Sequence, residues 1–550
     1  MQKLVFTLLC MIFTPAQAST LIHNVNGYTL NNGEVIQFSA LEFADGKVVK
    51  TFQENDPDIQ ADSRIDGAGA TMLPGLIDSH GHLASYGRAL DSVDLVGVAS
   101  EASAVARVAS FMAKRTSRGD WILGRGWNQV LWDTPKFPQG SSLDVLGDEA
   151  AIALHRIDGH ALWVNSKALM LAGIEGSTED PPGGEIIRDT NGRATGVLID
   201  NAMNLVLAVL PTISDDQLQD HLLSALRKLA SFGLTSLHDA GVKAQQIRVM
   251  QTLARSNKLP VRVYAMLKVL DDANDVYLEG GIQLDDAQML DIRSVKISAD
   301  GALGSRGAAL ATDYSDQPGH RGLFLLNDLE LERQMTRAMA KGFQVNVHAI
   351  GDSANTRVLD LFEQLLSGQS GSSLRHRVEH AQILDPSDIN RFASIGVIAS
   401  IQPTHATSDK NMARTRLGQK RLEGAYAWRS LLESNANLAG GSDFPIESAN
   451  PFYGLHAAVT RQDHQNQPPE GWFPTQKLSR AQALAMFTEG AAYAAHQEKT
   501  LGRLLPGYWA DFVLLRDDYF TVPEQNIWQN QVLKTFVAGE LIYSCKSDDC

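Results

Sequence analysis

Two histidines two residues apart, His80 and His82, close the apolar run Pro74-Gly75-Leu76-Ile77-Asp78-Ser79-His80-Gly81-His82. Alternate side chains of an extended strand share a face, so both imidazoles project together as a rigid pair of nitrogen donors for zinc or a similar ion. Further ligand types stand at the ends of later apolar runs: His348 in Val347-His348-Ala349-Ile350-Gly351-Asp352, His380 in Val378-Glu379-His380-Ala381-Gln382, and Asp443 in Gly441-Ser442-Asp443-Phe444-Pro445. Any one of these, taken singly, reads as a hydrogen-bonded strand-end histidine or a turn aspartate. Four imidazoles and a carboxylate in register point instead to a metal centre. Lys296, in Ser294-Val295-Lys296-Ile297-Ser298-Ala299-Asp300-Gly301, lies on another such run and shares its inward face with Ser298 and Asp300. An ammonium repels a nearby cation. Lys296 therefore either stands away from the metal or has reacted with carbon dioxide to give a carbamate able to bridge two ions.

These residues need a scaffold that delivers strand ends to one place. Eight short buried strands, at 73–82, 234–239, 261–267, 294–299, 344–348, 377–380, 397–402 and 438–443, alternate with helix-length segments, the pattern of βαβ units and a parallel sheet. The expected fold class is α/β, a (β/α)8 barrel over residues 71–500 with its site at the C-terminal ends of the strands; a doubly wound open sheet is the alternative. The gap between the first two strands is far longer than a crossover helix, and an inserted domain is expected at about 83–232, over the barrel mouth. Residues 19–70 and 501–550 are rich in short extended runs, with Asp45-Gly46 a hairpin signal between two of them. The two ends are expected to build one small β-sandwich domain.

The chain has 550 residues, 44% apolar and 20% charged, enough for a sizeable core, and its 48 basic against 63 acidic residues give a net charge of −15 with no basic face. That disfavours a nucleic-acid partner and suits a small-molecule substrate. A homo-oligomer is compatible with this composition. Residues 1–18 read as a secretory signal: Lys3, an apolar run at 4–13, then Ala16-Gln17-Ala18 before a cleavage point. That run is half the ~20 apolar residues needed to span a bilayer, so after cleavage a periplasmic or secreted protein without a membrane anchor is expected. Cys10 leaves with the signal, and Cys545 and Cys550 are free to pair in an oxidising compartment.

Taken together, the stretch ending at His82, residues 295–306 around Lys296, 348–352, 379–382, Gln402-Pro403-Thr404-His405, 441–445 and 507–512 resemble the amidohydrolase superfamily, in particular the branch containing N-substituted formamide deformylases. The resemblance covers essentially the whole mature chain. It implies a metal-dependent hydrolase on a distorted (β/α)8 barrel with a small β-sandwich. By family role His80, His82 and Asp443 hold one metal, and His348 and His380 hold a second, with carbamylated Lys296 between. The cofactor implied is a divalent metal, zinc first, at one or two ions per chain with two favoured. Such an ion lowers the pKa of its water to about 7 and polarises a scissile carbonyl; Asp443 would carry the proton from that water to the leaving nitrogen.

The expected reaction is hydrolysis of a non-peptide carbon–nitrogen bond in an amide, formamide or cyclic amide. An ester or lactone hydrolase on the same site and a secreted regulatory protein without catalysis are the alternatives. Three further residues are candidates for substrate contact. His160 resembles a family segment near the substrate, with a buried structural histidine the alternative; Trp127 could line an apolar pocket beside Asn128 and Trp132, though such tryptophans more often form the core of their domain; Arg306 could clamp a carboxylate, though a structural salt bridge is the commoner role. Of His405, His238 and His320, at most one is expected to touch substrate.

Overall fold

A computed structural model describes residues 18–546 apart from 54–58, 115–120, 130–131, 157–160, 182–183, 201, 305 and 368–372. Residues 1–17, on which the expected signal falls, and His160 and Cys550 lie outside the described residues. Cys545 is disulfide-bonded.

Eight parallel strands form one sheet in chain order: β1 (Leu76–Gly81), β2 (Leu234–Val242), β3 (Arg262–Lys268), β4 (Leu290–Ser298), β5 (Gln344–Ala349), β6 (Arg377–His380), β7 (Ile398–Ile401) and β8 (Leu438–Gly440). Nearly every residue of these strands is buried, as a sheet covered on both faces requires. The first and last strands meet just beyond their ends. There the Asp443 amide donates to the His80 carbonyl at 2.7 Å, the His82 amide donates to Phe444 at 2.8 Å, and Gly81 and Phe444 form a parallel bridge. The sheet is a (β/α)8 barrel.

Both chain ends build the β-sandwich. A four-stranded sheet of Lys47–Phe52, Ala40–Ala44, Thr20–His23 and Ser63–Asp66 accompanies a six-stranded sheet of Glu540–Ser544, Val532–Val537, Phe512–Leu515, Thr71–Pro74, Asn26–Asn31 and Glu34–Phe38. Ile22, Leu41, Phe43, Met72, Phe512, Leu514 and Phe536 form its core, each contributing roughly 1.5–3 kcal/mol by burial. Asp45 and Gly46 make the expected two-residue turn, both at positive φ (50° and 73°), the twist a tight hairpin demands. The border with the barrel falls a few residues later than the sequence pattern suggests: Thr71–Pro74 pairs antiparallel with Phe512–Leu515, and the barrel strand begins only at Leu76. Gly75 makes the switch, since a Cβ there would stand 2.2 Å from the Thr235 hydroxyl. Buried Arg262 on β3 ties barrel to sandwich, its guanidinium donating to both Asp511 oxygens at 2.7 and 3.0 Å.

Leu83–Ala225 is a second compact unit. Its six-stranded mixed sheet runs Gly184–Arg188, Ala194–Asp200, Ala161–Val164, Ala151–Arg156, Trp121–Trp127, Val93–Asp94, and one of its faces packs Trp127, Trp132 and Trp163 together. Among the described residues no helix is long and apolar enough to cross a membrane.

Candidate metal centre at the barrel mouth

Alternation along β1 puts Asp78, His80 and, just past the strand, His82 on one face. Asp78 is fully buried and accepts from the His80 amide (3.0 Å), the Ser442 amide (3.1 Å) and the Ser442 hydroxyl (2.6 Å), so it locks β1 to the turn that carries Asp443. Burial pushes its carboxyl up to about 7 against those three donors. Asp300 does the same service for β5: it accepts from the amides of Ala309 (2.8 Å), Ile350 (3.0 Å) and Gly351 (2.8 Å), and burial pushes it up to about 7. Two residues at the centre, Asp443 and His380, adopt left-handed backbone (φ 61° and 78°), a strain that persists where surrounding structure fixes it.

Each histidine is oriented by what its Nδ1 touches. His80 Nδ1 lies 2.5 Å from the buried Glu379 carboxylate, His82 Nδ1 donates to the Ala240 carbonyl at 2.8 Å, and His380 Nδ1 lies 2.8 Å from Gln402 Oε1. The Gln402 amide nitrogen itself points at the Ser400 carbonyl (3.4 Å), so its oxygen is the end that accepts from His380. All three imidazoles therefore carry their proton on Nδ1 and leave an Nε2 lone pair. Partners of this kind fix tautomer and ring orientation in metal-binding histidines.

The Nε2 atoms converge. Those of His82 and His80 stand 3.0 and 3.6 Å from Asp443 Oδ1, and that of His405 stands 3.8 Å from Asp443 Oδ2. The His380 ring centroid is 4.9 Å from His80 and 4.4 Å from His348, with His405 stacked 6.0 Å away. Buried and without a hydrogen-bond partner are His80 Nε2, His348 Nε2, His405 Nε2 and Asp443 Oδ1. A neutral His82 whose proton is spent on Ala240 faces the Asp443 oxygen lone pair to lone pair at 3.0 Å. Only a proton or a cation between them makes that contact favourable, and the residues present thus fit a divalent ion.

Electrostatics agree with neutral donors around an ionised acceptor. Burial first, then the Lys296 charge, pushes His80 down and His348 down to about 3. Burial works to raise Asp443, but the surrounding imidazoles hold it well below the usual carboxylate range. Lys296 is buried on β4, close enough for its charge to be felt by His80 and His348; burial lowers its own ammonium, with the Glu379 and Asp443 carboxylates opposing. Two residues before Ser298, the register partner of His348, it lies on the strand face that leads to the cluster.

His80, His82, Lys296, His348, His380 and Asp443 are thus neighbours. The candidates for substrate contact fare differently. Trp127 is fully buried in the tryptophan cluster of the second unit and donates its indole N–H to Leu154, so as a core residue it offers a substrate no free face. Arg306 is held by both oxygens of Asp316 at 3.2 and 2.9 Å, which spends its fork on a structural pair in place of a ligand clamp. His238 contacts the Arg377 guanidinium at 3.0 Å, and His320 the Arg306 carbonyl at 2.9 Å. His405 alone of that trio reaches the centre. Glu379 and Gln402 sit in sequence beside residues already singled out, but their roles depend on which way two strand ends turn.

The amidohydrolase family model matches residues 64–543. The chain belongs to the amidohydrolase family. A putative amidohydrolase, YtcJ, of Bacillus subtilis (strain 168) is 34% identical over 489 residues, 86% of this chain and 89% of the relative. An N-substituted formamide deformylase of Arthrobacter pascens is 26% identical over 493 residues, 87% and 89% of the two chains. Among solved structures, an uncharacterized metal-dependent hydrolase from Pyrococcus horikoshii OT3 superposes with a TM-score of 0.76 at 26% identity, covering 92% of this chain and 99% of that one. Membership places this amidohydrolase among hydrolases built on the same barrel, with its candidate metal-binding groups at the mouth.

Proposed function

We propose that the protein hydrolyses a non-peptide carbon–nitrogen bond, in an amide, formamide or cyclic amide of a small molecule, with a divalent metal as cofactor. The observation that carries this reading is the lone-pair contact of His82 Nε2 with Asp443 Oδ1 at 3.0 Å, inside a ring of buried, unpartnered imidazoles. His80, His82 and Asp443 would hold one ion; His348 and His380 face a second position, with Lys296, as its carbamate, between them. Zinc suits this set of nitrogen and carboxylate donors. When bound, the metal supplies an acidified water nucleophile and polarises the scissile carbonyl.

The protein's own contribution is orientation and proton handling. Glu379, Ala240 and Gln402 keep the Nε2 lone pairs aimed inward. Asp443, ionised and held rigid at a strained backbone position, accepts the proton of the attacking water on one oxygen and returns it to the leaving nitrogen, so that the departing group is a neutral amine. The relative named for formamide deformylation supports the choice of an amide-type bond. Paired substrates that differ only in an amide or ester linkage test it: metal-dependent release of amine from the amide series supports the reading, and turnover of esters alone overturns it. We place the mature protein in the periplasm or medium on its leader sequence; N-terminal sequencing of the cell-free protein should begin at Ser19, and an intact Met1 terminus would refute export.

A further inference from the structure

Gln382 stands two residues beyond His380 at the end of β6, and His405 lies in the first turn of the helix Pro403–Arg421 that follows β7. Asp409 is one turn further along that helix. Side chains four residues apart share a helix face, with Cβ atoms about 5–6 Å apart. The Asp409 carboxylate therefore lies on the face that brings His405 Nε2 to 3.8 Å from Asp443 Oδ2. Three segments meet around it. The Tyr426 hydroxyl donates to Asp409 Oδ2 at 2.6 Å, and the Gln382 side-chain amide donates to the same oxygen at 2.8 Å and to the Tyr426 hydroxyl at 2.9 Å. Gln382 and Tyr426 are buried, and Tyr426 keeps a left-handed backbone (φ 52°) with its amide donating to the Gln382 carbonyl at 2.7 Å.

One oxygen of Asp409 is thus fixed, while Oδ1 accepts no hydrogen bond among the described residues and the side chain is only partly buried. No cation of the protein answers it. Lys410 is spent on Asp463 at 2.8 Å, and Arg461, beside Tyr426, donates to the Trp472 and Tyr426 carbonyls at 2.9 and 3.1 Å. Burial raises the Asp409 carboxyl, while the Tyr426 hydroxyl, His405 and Gln382 favour its ionised form. The arginines nearest to serving an anionic ligand are committed as well, since Arg306 and Arg416 share the Asp316 carboxylate. A carboxylate held by one oxygen presents the other to whatever enters the mouth, and a partly desolvated anion gains most from a cation that hydrogen-bonds to it. The net charge of −15 draws such cations toward the chain.

We infer that Asp409 is a specificity-determining residue that receives an ammonium group of the substrate, and that the preferred substrates are amides carrying this ammonium on a short aliphatic arm. The arm spans about the 5–6 Å that separates neighbouring turns on one helix face. Tyr426 and Gln382 are positioning residues that hold the carboxylate for it. This assignment rests on the hydrolase reading given above, and its test separates the two.

Full-length mature wild-type protein, Asp409→Asn and Asp409→Glu are assayed with formyl and acetyl amides of three amines of equal length: N-acyl-1,4-diaminobutane with an ammonium end, N-acylpentylamine with a methyl end, and N-acyl-5-aminopentanoate with a carboxylate end. Wild-type kcat/KM is expected to be about 10- to 100-fold higher for the ammonium member than for the methyl member, the worth of a hydrogen bond to a charged group, and lowest for the carboxylate member. Asp409→Asn keeps an oxygen for Tyr426 and should abolish that preference, whereas Asp409→Glu keeps the charge and should retain the order. A merely structural aspartate would lower all three members in equal proportion. No ammonium preference in the wild type, or an equal fall on all three members in Asp409→Asn, overturns the inference and leaves the proposed function standing as long as amine is released. Turnover of the matching esters alone overturns the carbon–nitrogen reading, and the charge order among those esters then decides the inference in the same way. Protein that cleaves neither series overturns both.

Discussion

Replacing Glu379 perturbs the centre through one short contact. Its carboxylate, fully buried, lies 2.5 Å from His80 Nδ1, and its other oxygen is 3.9 Å from Arg377, itself wholly inside the barrel. Glu379→Gln keeps an acceptor for the imidazole N–H but removes the charge. Loss of such a partner costs a metal-ligating histidine about 10- to 100-fold in affinity, or roughly 1.4–2.7 kcal/mol at 1.36 kcal/mol per tenfold. Glu379→Ala does more: it leaves the Arg377 guanidinium without its buried countercharge, which costs about 3–5 kcal/mol of folding free energy. Chelator competition with Zn2+ measures the first effect and urea unfolding of metal-stripped protein the second. The expected order is wild type, then Gln, then Ala in both assays. Glu379→Gln with wild-type affinity, together with Glu379→Ala as stable as the parent, would refute the assignment of Glu379 as the group that orients His80.

Three further outcomes follow from other parts of the molecule. Asp443→Asn should keep the fold and lower amide turnover by about 10²- to 10⁴-fold, the range for loss of a positioned acid–base group; a loss below tenfold on the amide series would remove the proton-transfer role. Asp511→Ala should destabilise the protein by about 3–5 kcal/mol, because it strands the buried Arg262 guanidinium that it holds at 2.7 and 3.0 Å, and an unchanged urea midpoint would contradict the structural role of that pair. His376 accepts the Val345 amide on Nδ1 and is stacked on Phe362, and burial pushes it down to about 4. A depressed histidine binds its proton more readily unfolded than folded, so its contribution, roughly 3 kcal/mol, is complete above about pH 6.5 and is lost as pH falls through 4. Urea titrations at pH 7 and pH 4.5 should show that loss, with a shallower slope in His376→Asn; an equal slope in the variant would assign the acid sensitivity to other groups.

The fold and most of the centre were legible because barrel strands carry their information locally. A buried parallel strand is a short apolar run, and its last residues must point at the mouth, so His80, His82, His348, His380 and Asp443 could be read from type and position alone. Lys296 was legible as an inward residue for the same reason. What the sequence could not show is anything that depends on where two strand ends lie relative to each other. The Glu379–His80 contact joins β6 to β1, and the reach of His405 to Asp443 joins the turn after β7 to the turn after β8. Arg306 and Trp127 stayed open between a structural and a substrate role for a related reason. A guanidinium near a strand end and an indole near a turn serve a ligand or the fold equally well, and only the presence of Asp316 beside one and of Trp132 and Trp163 around the other decides between them.

The most direct measurement of the central claim is metal content per chain by plasma mass spectrometry, followed through stripping and reconstitution alongside hydrolysis of an amide substrate. The account predicts that chain-bound divalent metal and amide cleavage are lost together and return together on adding zinc. Cleavage that survives complete removal of metal, or a reconstituted protein that holds no ion, would contradict it.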